Sequence, residues 1–144
     1  VYPVGRLDFD TQGLLLFTND GQLSNGLTHP RFKIEKEYLA WIDGKPDGPT
    51  LRQLESGITI EGRRTAPAKV SVTEQTRQGV CLRMVIREGR KRQIRLMVGH
   101  FGFRVMQLIR VRIGPIELGE MGDSEWQFLG RSEVDQLKRA LAGP

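Results

Sequence analysis

From Val80 to Arg87 the sequence alternates, with Val80, Leu82, Met84 and Ile86 on one side and Cys81, Arg83, Val85 and Arg87 on the other. A period of two belongs to a strand, and it puts one apolar face opposite a face that carries arginines. Other β-rich runs recur along the chain: Lys36 to Asp43, stopping at Gly44; Ile58 to Ile60; Ala68 to Thr73; Phe103 to Ile113, one bent strand or two; Ile116 to Leu118; and Trp126 to Leu129. Helical spacing is confined to short stretches. Asp20 can cap a helix over Gly21 to Leu27, and Thr50 to Gln53 has capping-box spacing. Ile94, Met97 and Val98 lie on one helical face that stops at Gly102, and Ser132 to Asp135 resembles a capping box for a terminal helix through Leu141. Glu61 to Arg64 reads as a turn. Strands that follow strands without regular βαβ alternation predict an α+β fold on a mixed, mostly antiparallel sheet with short flanking helices. A length of 144 residues with 38% hydrophobic and 27% charged content predicts one domain, spanning 1–144.

Charge narrows the function. The net charge of +5 favours a polyanionic partner. Its distribution is more specific: Arg87, Arg90, Lys91, Arg92 and Arg95 crowd one stretch diluted by Glu88, and Arg104, Arg110 and Arg112 follow. A solvated face mixes signs more evenly, so contact with nucleic acid is expected. The single cysteine, Cys81, excludes an internal disulfide framework, and with two histidines no structural metal is expected. No apolar run approaches the roughly 18 residues of a membrane span, so a reducing, cytoplasmic setting without a membrane partner is expected. His29 and His100 have weak functional claims.

The chemistry concentrates near the start. Gly5-Arg6-Leu7-Asp8-Phe9-Asp10-Thr11-Gln12-Gly13 is a polar, glycine-bounded stretch between two short apolar runs, Val1 to Val4 and Leu14 to Phe17. Polar loops held by buried strands are where reactive groups tend to sit. Asp8 and Asp10 admit several uses. A glycosidase places two carboxylates about 5–9.5 Å apart, and a metal site requires more converging oxygens. A third use is one ionised aspartate as a nucleophile, held by an arginine. Turn capping is the plain alternative, and on these residues alone it stays level with catalysis.

The stretch from Gly5 through Thr11, Gly13-Leu14-Leu15 and Thr18-Asn19-Asp20-Gly21 resembles the signature of bacterial ribosomal RNA pseudouridine synthases of the Rsu type. Further matches follow in order. Thr28-His29-Pro30 with Glu35-Lys36-Glu37-Tyr38 is similar to the second motif, and Glu88-Gly89-Arg90-Lys91-Arg92-Gln93-Ile94-Arg95 to the third. Leu108-Ile109-Arg110, with Ile113-Gly114, is similar to the segment beyond. The resemblance spans nearly the whole chain. It implies a pseudouridine synthase-like sheet with a central cleft, and an enzyme that breaks the N-glycosidic bond of a uridine in RNA, rotates the base and rejoins it through carbon.

On that resemblance Asp8 is the nucleophile, Arg95 the arginine that pairs with it, and Tyr38 the ring that packs on the target base and moves a proton. Leu108 lines the base pocket. Arg6, Lys36, Arg90, Lys91, Arg92 and Arg110 are implied RNA contacts. No cofactor is implied, because the isomerisation is redox-neutral. Ribosomal RNA is the implied partner, large-subunit RNA being favoured by the Arg-Lys-Arg-Gln-Ile-Arg form of the third motif, and a monomer is expected. Leu96 stands where members commonly have arginine, and Lys91 where they often have asparagine. The family usually carries an upstream S4-type RNA-binding domain and an early strand with a Lys-Pro turn; neither is in this sequence, so the catalytic domain is expected to be incomplete at its N-terminus. The rival reading is a catalytically silent RNA-binding or ribosome-assembly module, against which the joint presence of Asp8, Tyr38 and Arg95 argues.

Overall fold

The strand β4 (Lys36–Ile42) runs through the middle of the molecule, where Ala40 and Ile42 are wholly buried. The computed structural model describes residues 1–122 and 125–142. Before β4 come β1 (Tyr2–Val4), β2 (Gln12–Gly13), β3 (Leu16–Thr18), α1 (Gly21–Thr28) and a 3-10 turn, Pro30–Phe32. After it come α2 (Gly48–Ser56), β5 (Thr59–Ile60), β6 (Arg63–Arg64), β7 (Lys69–Gln75), β8 (Val80–Ile86), α3 (Gln93–His100), β9 (Val105–Ile113), β10 (Ile116–Glu117) and α4 (Arg131–Ala142).

The main sheet has the order β10-β9-β4-β8-β7, antiparallel throughout, and β2 adds to the outer side of β9 as its parallel member. The α+β expectation holds. β9 is one strand with two register shifts against β4, between Glu37 and Tyr38 and between Trp41 and Ile42. These irregularities account for the bend read in its sequence. β8 departs from a simple two-faced strand, because Cys81 and Val85 are buried as well. It lies between β4 and β7, whose longer side chains flank that face: Trp41 and Glu74 beside Cys81, Glu37 and Lys69 beside Val85.

Two cores result. The larger packs Ala40, Ile42, Val80, Leu82, Met84, Ile86 and Leu108 against Leu54 of α2 and Ile94, Met97 and Val98 of α3. The smaller gathers Val4, Leu14, Leu16, Leu27, Ile34, Ile113, Ile116 and Leu137 beneath α1 and α4. Leu137 is the buried residue of α4, and burying one leucine contributes about 1.5–3 kcal/mol. On the sheet face away from the main core, charges form a ladder. Glu37 accepts from Arg83 Nε (3.0 Å) and Arg112 Nε (3.0 Å), and Glu35 accepts from Arg112 Nη2 (3.2 Å) and Arg87 Nη2 (3.1 Å). Burial acts to raise the Glu37 carboxyl, but the hydrogen bonds from Arg83 and Arg112 outweigh it and hold the group below its ordinary range.

Several local expectations are corrected. α2 starts at Gly48, not at Thr50: Asp47 caps it by accepting from Thr50 N–H at 2.8 Å, and Pro49 fits the first turn because no N–H is required there. Glu61 and Gly62, both at positive φ, form a tight turn, so Arg63–Arg64 is a strand that pairs with Thr59–Ile60. Trp126 to Leu129 forms no strand; Trp126 and Phe128 are exposed and meet edge-on, their ring centroids 5.4 Å apart. α4 begins at Arg131, and Glu133 accepts from Gly130 N–H, half of a capping box placed two residues before the expected one.

Gly13 is the residue on which the opening stretch depends. Its φ is +112°, and a Cβ there would run into the backbone of Arg110 on β9. Only glycine lets the two backbones lie this close. Gly13→Ala is therefore expected to cost at least about 1–3 kcal/mol, from strain and from displacement of the loop; an unchanged urea midpoint would show that the close approach is not needed. The charge ladder carries an acid dependence. Because the Glu35 and Glu37 carboxyls sit lower in the folded chain, their contribution is full above about pH 4.3, the unfolded glutamate value, and is lost as pH falls through the folded values. Thermal melts from neutral to acid pH should show this fall in the parent and a flatter profile in a Glu35→Gln, Glu37→Gln double variant. Identical acid slopes would rule the ladder out as their source.

Candidate active site

The stretch from Gly5 to Thr11 is a loop pinned at both ends. β1 and β3 pair antiparallel beneath it, from Tyr2 with Thr18 to Val4 with Leu16. Beyond it, Leu14 N–H donates to Arg110 O at 2.9 Å, and Arg110 Nε donates to Leu14 O at 3.0 Å. Thr11 N–H donates to Asp8 O at 2.9 Å, closing a turn that leaves Asp8 half-buried and Phe9 at the tip, 95% exposed. The loop therefore runs from the β1–β3 pair to the β2 side of β9.

The start of α3 grips this turn. Arg92 holds the Asp10 carboxylate with two bonds, Nη1 to Oδ1 at 2.9 Å and Nη2 to Oδ2 at 3.0 Å. Arg95 Nη2 donates to Asp10 O at 2.6 Å, and its Nε lies 3.5 Å from Asp10 Oδ2. The hydrogen bond from Arg92 holds the Asp10 carboxyl below its ordinary range, and Arg92 is raised in return, chiefly by the same bond. Arg92 itself adopts a left-handed conformation at φ 56°, and its guanidinium sits 5.6 Å from the Phe9 ring centroid.

This corrects the expected pairing of Arg95 with Asp8. Asp10 presents a carbonyl and a carboxylate on the same side of the turn, and both are in reach of Arg95. Among the described residues Asp8 has no ion-pair partner within 4.0 Å. The basic loop is also more occupied than its composition suggests. Arg90 donates to Arg63 O at 3.1 Å and Ile60 O at 2.6 Å, tying the loop to the β5–β6 hairpin. Lys91 and Arg6 are exposed.

Tyr38 is half-buried at the rim of the main core, opposite Met84 on β8 and Arg110 on β9. Lys36, two residues earlier, shares its face. Burial and the charge of Arg110 push the Lys36 ammonium below its ordinary range. Arg110 is 5% exposed, and Leu108 is buried in the main core opposite Ala40. Structure thus brings Asp8, Arg92 and Arg95 to one side of the site, and Lys36, Tyr38 and Arg110 to the sheet below.

Three buried side-chain polar atoms lack a hydrogen-bond partner among the described residues: Thr11 Oγ1, Arg95 Nε and Arg110 Nη2. All belong to this site. Such atoms are costly in a plain core and mark where a ligand could supply partners. Sequence reasoning missed the grip of Asp10, which was read only as an alternative acid or turn cap. It also missed Gln93, which accepts from Arg90 N–H at 3.2 Å and donates to Glu88 at 2.7 Å, setting the loop's shape. An acid two places after Asp8 and arginines one turn apart on a helix start were the available signals.

No group of three or more His, Cys, Asp or Glu side chains is arranged to hold a metal among the described residues. No described helix is long and apolar enough to cross a membrane. A separate concavity of about 1340 Å³ lies beyond β2 and β9, lined by Leu15, Phe17, Ile109, Trp126, Phe128 and Leu137 among others; Asp8, Tyr38 and Arg95 take no part in it.

The chain is 40% identical over 141 residues to an uncharacterized RNA pseudouridine synthase of Aquifex aeolicus, covering 98% of the chain and 57% of that protein. It is 42% identical over 144 residues to the ribosomal large subunit pseudouridine synthase B of Bacillus subtilis, covering 99% of the chain and 59% of the relative. The chain thus spans a little under three-fifths of these relatives. A crystal structure of a pseudouridylate synthase superposes with a TM-score of 0.84 at 33% identity, over 94% of this chain and 58% of that one. The model of one family, RNA pseudouridylate synthase, matches residues 1–100, from the β1 strand through the α3 helix that grips the Asp8 turn, and the chain belongs to that family.

Proposed function

We propose that this chain is the catalytic part of an enzyme that converts uridine to pseudouridine in ribosomal RNA of the large subunit, with Asp8 as its nucleophile. The observation that carries this reading is the division of labour between two aspartates in one turn. Asp10 is consumed by Arg92 and Arg95, whereas Asp8 stays half-exposed with no cation bonded to it among the described residues. A carboxylate without a bonded counter-ion keeps its lone pairs free for attack. The charge of Asp8 is felt at Arg92.

The other groups fit roles around an extruded uridine. Tyr38 offers a ring for stacking and a hydroxyl for proton movement. Arg95 acts here by positioning the turn rather than by bonding Asp8. Leu108 supports the floor beneath Tyr38. Lys91 and Arg6, exposed on either side, suit phosphate contacts, while Arg90 and Arg92 are held by protein acceptors and shape the loop. The reaction proceeds without a cofactor, in the cytoplasm and on a monomer.

Asp8→Asn keeps the shape of the turn and removes the nucleophile. On an in vitro transcript of large-subunit ribosomal RNA, pseudouridine formation mapped by carbodiimide-dependent primer-extension stops should fall at least about a thousandfold. Retention of the same RNA on filters should change by no more than about twofold. Turnover that survives in Asp8→Asn sinks the nucleophile. Wild-type protein that retains RNA yet makes no stop, both as this chain and within a longer polypeptide that includes it, points instead to a silent binding module.

A further inference from the structure

Arg110 anchors the loop through Nε and its main chain, but its remaining donors and the Lys36 ammonium beside it are not accounted for by the fold. The two cations stand on neighbouring central strands, Lys36 on β4 and Arg110 opposite Tyr38 on β9. Neither makes an ion pair among the described residues. The glutamates on either side of Lys36 do not serve it. Glu35 is taken by Arg87 and Arg112, and Glu37 by Arg83 and Arg112. Arg110 spends Nε on Leu14 O, while its buried Nη2 is left without a partner. Two like charges, one of them nineteen-twentieths buried, held together without a carboxylate between them, disfavour each other. Such an arrangement is stored where a ligand brings the negative charge.

We propose that Lys36 and Arg110 form an oxyanion site for the exocyclic oxygens of the target base, and so are further catalytic residues of this enzyme. This rests on the isomerase reading. In either route of attack the base becomes the anion. If the Asp8 carboxylate bonds to the sugar C1′, the C1′–N1 bond breaks and its electron pair stays on the base, spread over N1, O2 and O4. If the carboxylate adds to C6, the C5–C6 π pair moves through C4 onto O4. In both cases negative charge develops on a carbonyl oxygen, and donors fixed in a water-poor pocket stabilise it more than they stabilise the neutral base.

Geometry favours the base over a phosphate. Lys36 shares the face of β4 with Tyr38, the proposed stacking ring, and Arg110 stands directly across from that tyrosine. A flat base that stacks at Tyr38 carries its carbonyl edge toward this pair. The unpartnered Nη2 is buried, so it suits a small oxygen that enters edge-first, whereas a tetrahedral phosphate on an extruded nucleotide stays toward solvent.

The test compares Lys36→Met and Lys36→Arg with wild type, using an in vitro transcript of large-subunit ribosomal RNA under single-turnover conditions, with RNA affinity measured over a salt series. Lys36 is chosen because it makes no hydrogen bond that holds the fold among the described residues, and an unchanged thermal midpoint checks this. The expected result is a rate constant lower by about a hundredfold to a thousandfold in Lys36→Met, an unchanged affinity, and substantial recovery in Lys36→Arg. A weaker affinity with a salt slope shallower by about 0.7 and an intact rate constant would overturn the proposal in favour of a phosphate contact. Neither quantity moving would also overturn it. Wild-type protein that makes no pseudouridine in the same assay removes the isomerase reading itself, and this proposal with it; wild-type turnover matched by Lys36→Met removes this proposal alone.

Discussion

The reciprocal pair of bonds between Leu14 and Arg110 is the constraint from which the site follows. The Leu14 N–H reaches the Arg110 carbonyl, and the Arg110 side chain returns to the Leu14 carbonyl. One residue therefore anchors the loop twice, through its main chain and its side chain. The anchor works because Gly13, immediately before it, has no Cβ to hold the strands apart. With this end fixed on β9 and the other in the β1–β3 pair, the turn carrying Asp8 and Asp10 has little freedom left, and α3 needs only its first residues to complete the enclosure.

Electrostatics then divides the sheet between its two faces. On the outer face every glutamate of the first half of β4 and its approach is matched to arginines, in the ladder from Arg112 through Glu37 to Arg83. Pairing of this kind across three strands ties them together, although each exposed pair by itself is worth little. On the inner face, next to the site, the balance is not struck: cations outnumber carboxylates, and polar atoms are left unpartnered. A chain of net charge +5 could have spread its excess over the whole surface. Part of that excess is instead buried here, in Arg110 and the half-buried Lys36, neither of which makes an ion pair among the described residues.

Much of this was legible in the sequence where a signal is local. Alternation located β8, and the β-rich composition from Lys36 located β4. The ordered motifs singled out the opening turn and the start of α3, which the structure joins through Asp10, Arg92 and Arg95. What was not legible depends on partners distant in sequence. β2 is two residues long and has no periodicity to read; it exists because Gly13 can approach Arg110. Trp126 to Leu129 has strand composition but no strand beside it among the described residues, and composition alone does not make a ladder. The target of Arg95 was misjudged for a similar reason. Spacing along α3 puts Arg92 and Arg95 near the turn, but which of two aspartates they meet depends on how the turn is wound. That Arg90 is held within the protein was not legible either, because its backbone acceptors, Ile60 and Arg63, come from a hairpin whose docking no local pattern announces.

The anchor of the loop also sets an order of events in the life of the protein. Leu14 and Arg110 are 96 positions apart, and the Asp10 to Arg92 bond spans 82. Contacts this remote must await most of the chain, and their loop-closure cost is met only once the intervening sheet exists. During synthesis the signature stretch is made well before β9, with nothing yet to hold it. Only when β9 has cleared the exit tunnel can that stretch take its working shape. The site is thus assembled late in folding, after the sheet on which it rests.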